Sequence, residues 1–255
     1  MICNNCGIKG HISKNCNKPI KSYGVILIHN IEENPKILLV NRKDSICYIE
    51  ILMGKYNINN HEQLIKLFER ITLVEYNKLN TRPFKELWKE LWILNKIINI
   101  NEFKKYLNYF IKLKQIIHRY KKYHKYEYTE WEIPKGRKNP NETYFEASNR
   151  ELQEETNINQ EDYEIIINYK PIIENFIGEN DVVYENMYYI GICNNIENIR
   201  INTSNKNQII EIKDVGLYTE EESISRIRDY NINRKQVISD IFKFIKNYKN
   251  DLILK

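Results

Sequence analysis

The 255-residue chain carries 39 Lys+Arg against 34 Asp+Glu, a formal net charge of +5, and 42% of its residues are hydrophobic, a composition that suits a globular protein with a sizeable buried core. No apolar run approaches the roughly 18–20 residues of a membrane helix, and the chain opens without a charged-then-apolar leader. The expectation is a soluble, cytoplasmic protein with no membrane partner. Five cysteines, three of them inside the first sixteen residues, suit a metal site in a reducing compartment better than a disulfide framework.

The first element reads C-x2-C-x4-H-x4-C at Cys3, Cys6, His11 and Cys16. Three thiolates and an imidazole close a tetrahedral zinc shell, and Gly7 and Gly10 let so short a loop turn back on its own metal. The spacing resembles the CCHC zinc knuckle of nucleic-acid-binding proteins, a module for unpaired bases and phosphates; a purely structural knuckle is the competing reading. Asn4 stands where such knuckles often carry an aromatic, which leaves base contacts to Ile8 and Ile12. Lys9, Lys14, Lys18 and Lys21, with no acid before Glu32, favour a phosphate partner. Residues 1–21 form the expected knuckle domain.

From Ser22 the apolar runs "YGVILIHN" and "KILLVNRK", separated by the turn-rich "IEENP", predict a strand pair. "SICYIEILMGKY" either continues the sheet or leaves it. Helical spacing follows in "HEQLIKLFERI", "RPFKELWKELWILNKII" and "NEFKKYLNYFIKLKQIIHRYKK". In the second of these Phe84, Leu87, Leu91 and Leu94 make a core-type stripe that Trp88 and Trp92 widen. This block, residues 58–125, interrupts what reads as one sheet and is expected to be an inserted helical domain. Residues 22–57 and 126–255 are expected to form the main domain, ending in a helix that packs Val237, Ile241, Phe244 and Ile245 and turns Lys243, Lys246 and Lys249 outward.

Between 96 and 125 there are eight lysines and one arginine against the single acid Glu102. A solvated helix face normally mixes both signs; here Lys104, Lys105, Lys112, Lys121 and Lys122 alternate with Tyr106, Tyr109, Phe110, Tyr120 and Tyr123, which suits tracking of a single-stranded RNA backbone with bases stacked alongside.

After the insertion comes G-x5-E-x7-R-E-L-x-E-E-x-N-I, from Gly136 through Glu142, Arg150, Glu151, Leu152, Glu154 and Glu155 to Asn157 and Ile158. On a helix Glu151, Glu154 and Glu155 share one face, and like charges at that density repel unless a cation sits among them. Hard oxygen donors on one face suit Mg2+ or Mn2+, which typically link carboxylates to substrate phosphates. Ala147 and Leu152 turn towards the sheet, and the loop at Pro134 and Gly136 brings backbone close to a pyrophosphate.

This pattern resembles the Nudix box, with Asn157 in place of the family glycine. Asn is the next most tolerant residue for the left-handed turn that glycine makes after a helix, so a positive φ is expected there. The knuckle, the interrupted sheet, "YIEILMGKY" and "WEIPKGR" leading into the box together look like the mRNA-decapping Nudix hydrolases of large DNA viruses, over roughly residues 22–250. The resemblance implies an α+β, α-β-α sandwich Nudix fold with an inserted all-helical domain and a small N-terminal zinc knuckle. It also implies hydrolysis of the cap triphosphate bridge of capped mRNA, releasing methylated GDP and RNA with a 5′ monophosphate in the host cytoplasm.

Chemistry and resemblance together nominate Glu151, Glu154 and Arg150 as catalytic, Arg150 by orienting Glu151, with the catalytic base left open between Glu151 and Glu155. The Mg2+ or Mn2+ set is Glu142, Glu151, Glu154, Glu155 and Glu211 with the Gly136 position, Glu185 being the second choice to Glu211. Lys135 is placed to meet phosphate. Methylated guanine is a cationic π system, and Tyr48 and Trp131 are nominated to stack on it, with Glu50 on the guanine edge. Two other functions stay open: a Nudix hydrolase of diphosphoinositol or dinucleoside polyphosphates, and an RNA-binding protein with a vestigial box.

Overall fold

The computed structural model describes residues 2–12, 15–91, 100–178, 182–193 and 199–253. Lys14, Trp92 and Leu94 lie outside them, as does the Lys249 side chain. In chain order the elements are β1 (Ile20–His29), β2 (Lys36–Arg42), α1 (Ile46–Leu52), α2 (His61–Arg70), α3 (Leu73–Thr81), α4 (Phe84–Leu91), α5 (Ile100–Ile116), β3 (Trp131–Glu132), β4 (Lys135–Gly136), α6 (Tyr144–Thr156), β5 (Glu164–Ile165), β6 (Ile172–Ile177), β7 (Val183–Cys193), α7 (Lys206–Glu211), β8 (Ile212–Tyr218), α8 (Glu220–Arg226) and α9 (Ile232–Ile253). They form two compact units, residues 1–41 with 131–255, and residues 42–130.

In the first unit the two apolar runs pair as antiparallel β1 and β2, with Ile28 opposite Ile37. β1 reads as a continuous apolar run because it is central, pairing with β2, β4 and, in parallel along its whole length, β7, and because apolar clusters cover both of its faces. β3 and β8 pair with β2, and β5 and β6 with β7, giving an eight-stranded mixed sheet among the described residues. Alternation along β1 then separates two cores. Val25 and Leu27 pack with Leu152 and Ile158 at α6. Ile26 and Ile28 pack with Val237, Ile238, Ile241 and Ile245 of α9. The result is the expected helix–sheet–helix sandwich, each fully buried aliphatic contributing about 1.5–3 kcal/mol. Among the described residues no helix is long and apolar enough to cross a membrane.

The second unit is helical around an aromatic core in which Phe68 stacks on Tyr120 at 4.8 Å and Phe84 packs against Trp88 and Phe110. "SICYIEILMGKY" leaves the sheet. Ser45 caps α1 by accepting from the Tyr48 amide, and the buried Glu75 carboxylate takes the Ser45 amide and hydroxyl at 2.6 and 2.9 Å and the Thr72 amide at 2.8 Å. One carboxylate thus ties the start of α1 to the start of α3. The helical unit therefore spans 42–130, wider at both ends than the 58–125 block marked in the sequence.

Asn157 closes α6 in the left-handed region, at φ 63° and ψ 20°, its N–H donating to the Gln153 carbonyl. A Cβ-bearing residue without a polar side chain loses roughly 1 kcal/mol or more in that conformation. Asn157→Ala is expected to lower Tm by about 2–4 °C and Asn157→Gly to leave it nearly unchanged, as calorimetry would show.

Candidate active site

α6 is started by a capping box: the Thr143 hydroxyl accepts from the Glu146 amide while the Glu146 carboxylate accepts from the Thr143 amide at 2.7 Å. Glu146 is thereby spent on the helix end, a role legible in T-x-x-E and not read from the sequence above. Ala147 and Leu152 are fully buried on the sheet side, as expected. Glu151 and Glu155, one turn apart, are nearly buried too, at 9% and 5% exposure, whereas Glu142 and Glu154 are half-buried.

Arg150 occupies the middle of this acidic face. Its Nε donates to Glu142 at 2.6 Å, Nη1 to Glu151 at 2.7 Å and to Glu154 at 2.9 Å, and Nη2 to the Arg137 carbonyl at 2.9 Å. One guanidinium fork so offsets three carboxylates and ties the helix to the preceding loop. Its bond to Glu142 holds that carboxyl down at about 2. Burial pushes Glu151 the other way, up to about 7, against the pull of Arg150 and with added repulsion from Glu154 and Glu211. A carboxyl pushed so far from its ordinary range in a cleft is a mark shared by many working groups, and a divalent cation would reverse the local preference for the neutral form.

Backbone holds the other side. The Lys135 amide donates to Glu155 Oε2 at 3.1 Å, and Gly136 lies directly beneath the Glu151 carboxyl, where any Cβ would collide with all three carboxyl atoms. Gly136→Ala is expected to displace that carboxyl and lower turnover by about a hundredfold, with circular dichroism still reporting the folded state.

Glu211 ends α7, which is tied to α6 by the Gln208 side-chain amide donating to the Glu155 carbonyl at 3.0 Å; its charge reaches Glu151. Glu185 is engaged elsewhere, 2.6 Å from Lys21. The Lys135 ammonium is held by Glu132 at 2.5 Å, and Glu132 also faces Arg234, which in turn meets Glu174. This buried four-charge chain behind the loop had no signal in the sequence, because its members lie far apart along the chain. Trp131 is half-buried, edge-on to Tyr218 at 5.1 Å. Tyr48 and Glu50 lie in α1 within the helical unit. Tyr48 is 2% exposed and enclosed by that unit's core, so as folded it presents no free face for stacking; packing accounts for it.

At the N-terminus the ligand atoms of Cys3, Cys6, His11 and Cys16 lie within 4.8 Å of one another, compact enough for a tetrahedral shell. Gly7 and Gly10, at φ 74° and 108°, make the turns. Asn5, not singled out from the sequence, donates to Cys16 Sγ at 3.3 Å and to the Pro19 carbonyl at 2.8 Å, and accepts from the Lys21 amide at 3.0 Å. It lowers the Cys16 thiol to about 6, favouring the thiolate a metal needs, and joins the loop to β1. Ile8 and Ile12 are 53% and 43% exposed, and Lys9 and Lys18 are exposed beside them.

In the helical unit Lys104, Lys105, Lys112, Lys121 and Lys122 are all exposed. Their aromatic neighbours divide. Phe110 and Tyr120 are core, which corrects their reading as base-stacking rings: the helix needs them inward. Tyr106 and Tyr123 are half-buried, with the Lys105 and Lys122 ammoniums 5.6 and 5.2 Å from the ring centroids, and Tyr109 is 38% exposed.

Residues 114–236 match the NUDIX domain family. A protein of African swine fever virus named mRNA-decapping protein g5R is 30% identical over 225 residues, covering 83% of this chain and 89% of that protein. A protein of Acanthamoeba polyphaga mimivirus, provisionally named an mRNA-decapping protein, is 24% identical across 97% of this chain and 95% of its own length. Among solved structures, a C. elegans Ap4A hydrolase in a binary complex superposes with a TM-score of 0.47 at 12% identity, over 89% of this chain and 98% of that chain.

Proposed function

Since the chain belongs to the Nudix family of hydrolases, we propose that it removes the cap of mRNA, cleaving the triphosphate bridge to release methylated GDP and RNA with a 5′ monophosphate. The observation that carries this reading is the full set of box carboxylates gathered at α6 around Arg150, with Asn157 making the glycine's left-handed turn, in a chain similar over most of its length to a viral protein named for decapping. Nudix hydrolases act with divalent metals. The donor set here, carboxylates of Glu142, Glu151, Glu154, Glu155 and Glu211 beside the Gly136 backbone, is all hard oxygen and fits Mg2+ or Mn2+. Such an ion, when bound, lowers the pKa of water and offsets charge on the bridging phosphates.

Around that chemistry the residues divide the work. Glu151, seated over Gly136, takes the proton of the attacking water as the water oxygen bonds to phosphorus and the phosphoanhydride bond breaks towards GDP. Arg150 holds Glu151 and Glu154 in place, and Lys135, its ammonium taken by Glu132, fixes Glu155 through its backbone amide. Cys3, Cys6, His11 and Cys16 hold Zn2+, and the knuckle with Lys104, Lys105, Lys112, Lys121 and Lys122 supplies the contacts to single-stranded RNA. Trp131 is the ring we assign to the cap base. The reading places the protein where capped mRNA is found, the host cytoplasm in the case of a virus.

RNA labelled in the cap, incubated with the protein and Mg2+ or Mn2+, is expected to yield labelled methylated GDP. Release of labelled methylated GMP or no release, together with rapid hydrolysis of a diphosphoinositol or dinucleoside polyphosphate, would move the small-substrate reading ahead; the exposed lysines suit that anion as well.

A further inference from the structure

Asn157, standing in the glycine's place at the end of the box, does more than make the turn. Its Oδ1 accepts from Asn202 Nδ2 at 3.4 Å, on the segment that leads into α7. The Asn202 amide donates in turn to Gln208 Oε1 at 2.6 Å, and Gln208 Nε2 donates to the Glu155 carbonyl at 3.0 Å. Four residues thus close a ring, with Glu155 and Asn157 at the end of α6 and Asn202 and Gln208 on the segment facing it. Gln208 is fully buried, so breaking either of its side-chain bonds strands a polar atom away from water. Glycine at 157 would keep the turn and open the ring.

Glu211 lies three residues beyond Gln208 on α7, and residues at i and i+3 share a helix face. The face that Gln208 turns to the end of α6 is therefore the face that carries Glu211, and the Glu211 charge is felt at Glu151. In the carboxylate set nominated for the divalent ion, Glu211 is the member that comes from outside residues 142–155. We infer that Asn157, Asn202 and Gln208 are positioning residues that hold Glu211 in register with the acidic face of α6 and so set the affinity for the ion. This rests on the metal set given above and deepens it, because the residue that replaces glycine supplies the bond that glycine could not.

The test is Mn2+ binding to the full chain without RNA, read from the paramagnetic resonance of free Mn2+, with amide hydrogen exchange of the metal-free protein beside it. Glu211→Gln is expected to weaken Mn2+ binding by about tenfold, and Asn157→Gly severalfold, as for residues that orient metal ligands. The two together are expected to bind no more weakly than Glu211→Gln alone, since a clamp has no effect once the carboxylate it holds is gone. Without metal, Asn157→Gly is expected to speed exchange across residues 202–211 by about tenfold while β1, β7 and Tm stay near wild type. Asn202→Ala should reproduce both effects and add nothing to Asn157→Gly. Additive losses of Mn2+ affinity in the Asn157→Gly, Glu211→Gln pair would overturn the inference, as would unchanged exchange at 202–211 or faster exchange throughout the sheet. Unchanged Mn2+ affinity in Glu211→Gln would overturn it at its premise and take Glu211 out of the metal set. Cleavage of cap-labelled RNA by the wild type is scored separately, so the decapping reading stands or falls on its own result.

Discussion

Glu151→Gln is expected to lower turnover of capped RNA by about a thousandfold while RNA binding and Tm are kept. Gln matches Glu in volume, so the space over Gly136 stays filled and no Cβ contact changes. The charge is what goes, and with it the proton acceptor and one anionic donor of a metal set. Stability is not expected to fall, because burial already disfavours the ionised form of this carboxyl, and Arg150 keeps Glu142 and Glu154 as partners. Glu155→Gln should resemble it in direction, since Glu155 is equally buried and anchored by the Lys135 amide. Single-turnover cleavage of cap-labelled RNA, filter binding of the same RNA and a melting curve separate the three quantities. Near-native turnover in either variant would mean that the acidic face of α6 is not where the chemistry occurs.

The second large effect concerns substrate size. Reversing Lys104, Lys105, Lys121 and Lys122 to Glu together is expected to reduce cleavage of long capped RNA by about a hundredfold and to leave hydrolysis of a small diphosphate close to wild type. All four are exposed, and none takes part in the box interactions. Each phosphate neutralised by a lysine releases about 0.7 counterion from a single strand, so losing four contacts should flatten the dependence of log affinity on log salt by about 3. Activity of the wild type should rise with RNA length, with free cap dinucleotide a poor substrate. Cys3→Ser with Cys6→Ser should act in the same direction but more weakly, because the cysteine loop precedes β1 and contributes nothing to the box. Equal loss on long RNA and on the small diphosphate would show that these lysines serve the fold or the catalytic centre, and the small-polyphosphate reading would then lead.

Much of this protein was legible along the chain, wherever the determining interactions are local. The spacing of Cys3, Cys6, His11 and Cys16 brings four ligands together because two glycine turns suffice. The i, i+3, i+4 placement of Glu151, Glu154 and Glu155 follows from helix geometry alone, and Asn157 takes its left-handed turn because a helix end demands it. The apolar runs of β1 and β2 mark a strand pair, because the turn-rich stretch between them lets neighbours in sequence meet as neighbours in the sheet. What only the tertiary structure decided depends on residues distant in sequence. Glu75 recruits Ser45 across thirty positions, and Tyr48, nominated for cap stacking, packs into the helical unit's core. Lys135, Glu132, Arg234 and Glu174 meet in one buried chain, and Trp131 finds Tyr218 and Arg226. No periodicity encodes such meetings. They arise because a buried charge must find its counter-charge, and a half-buried ring its neighbour, wherever the folded backbone places them.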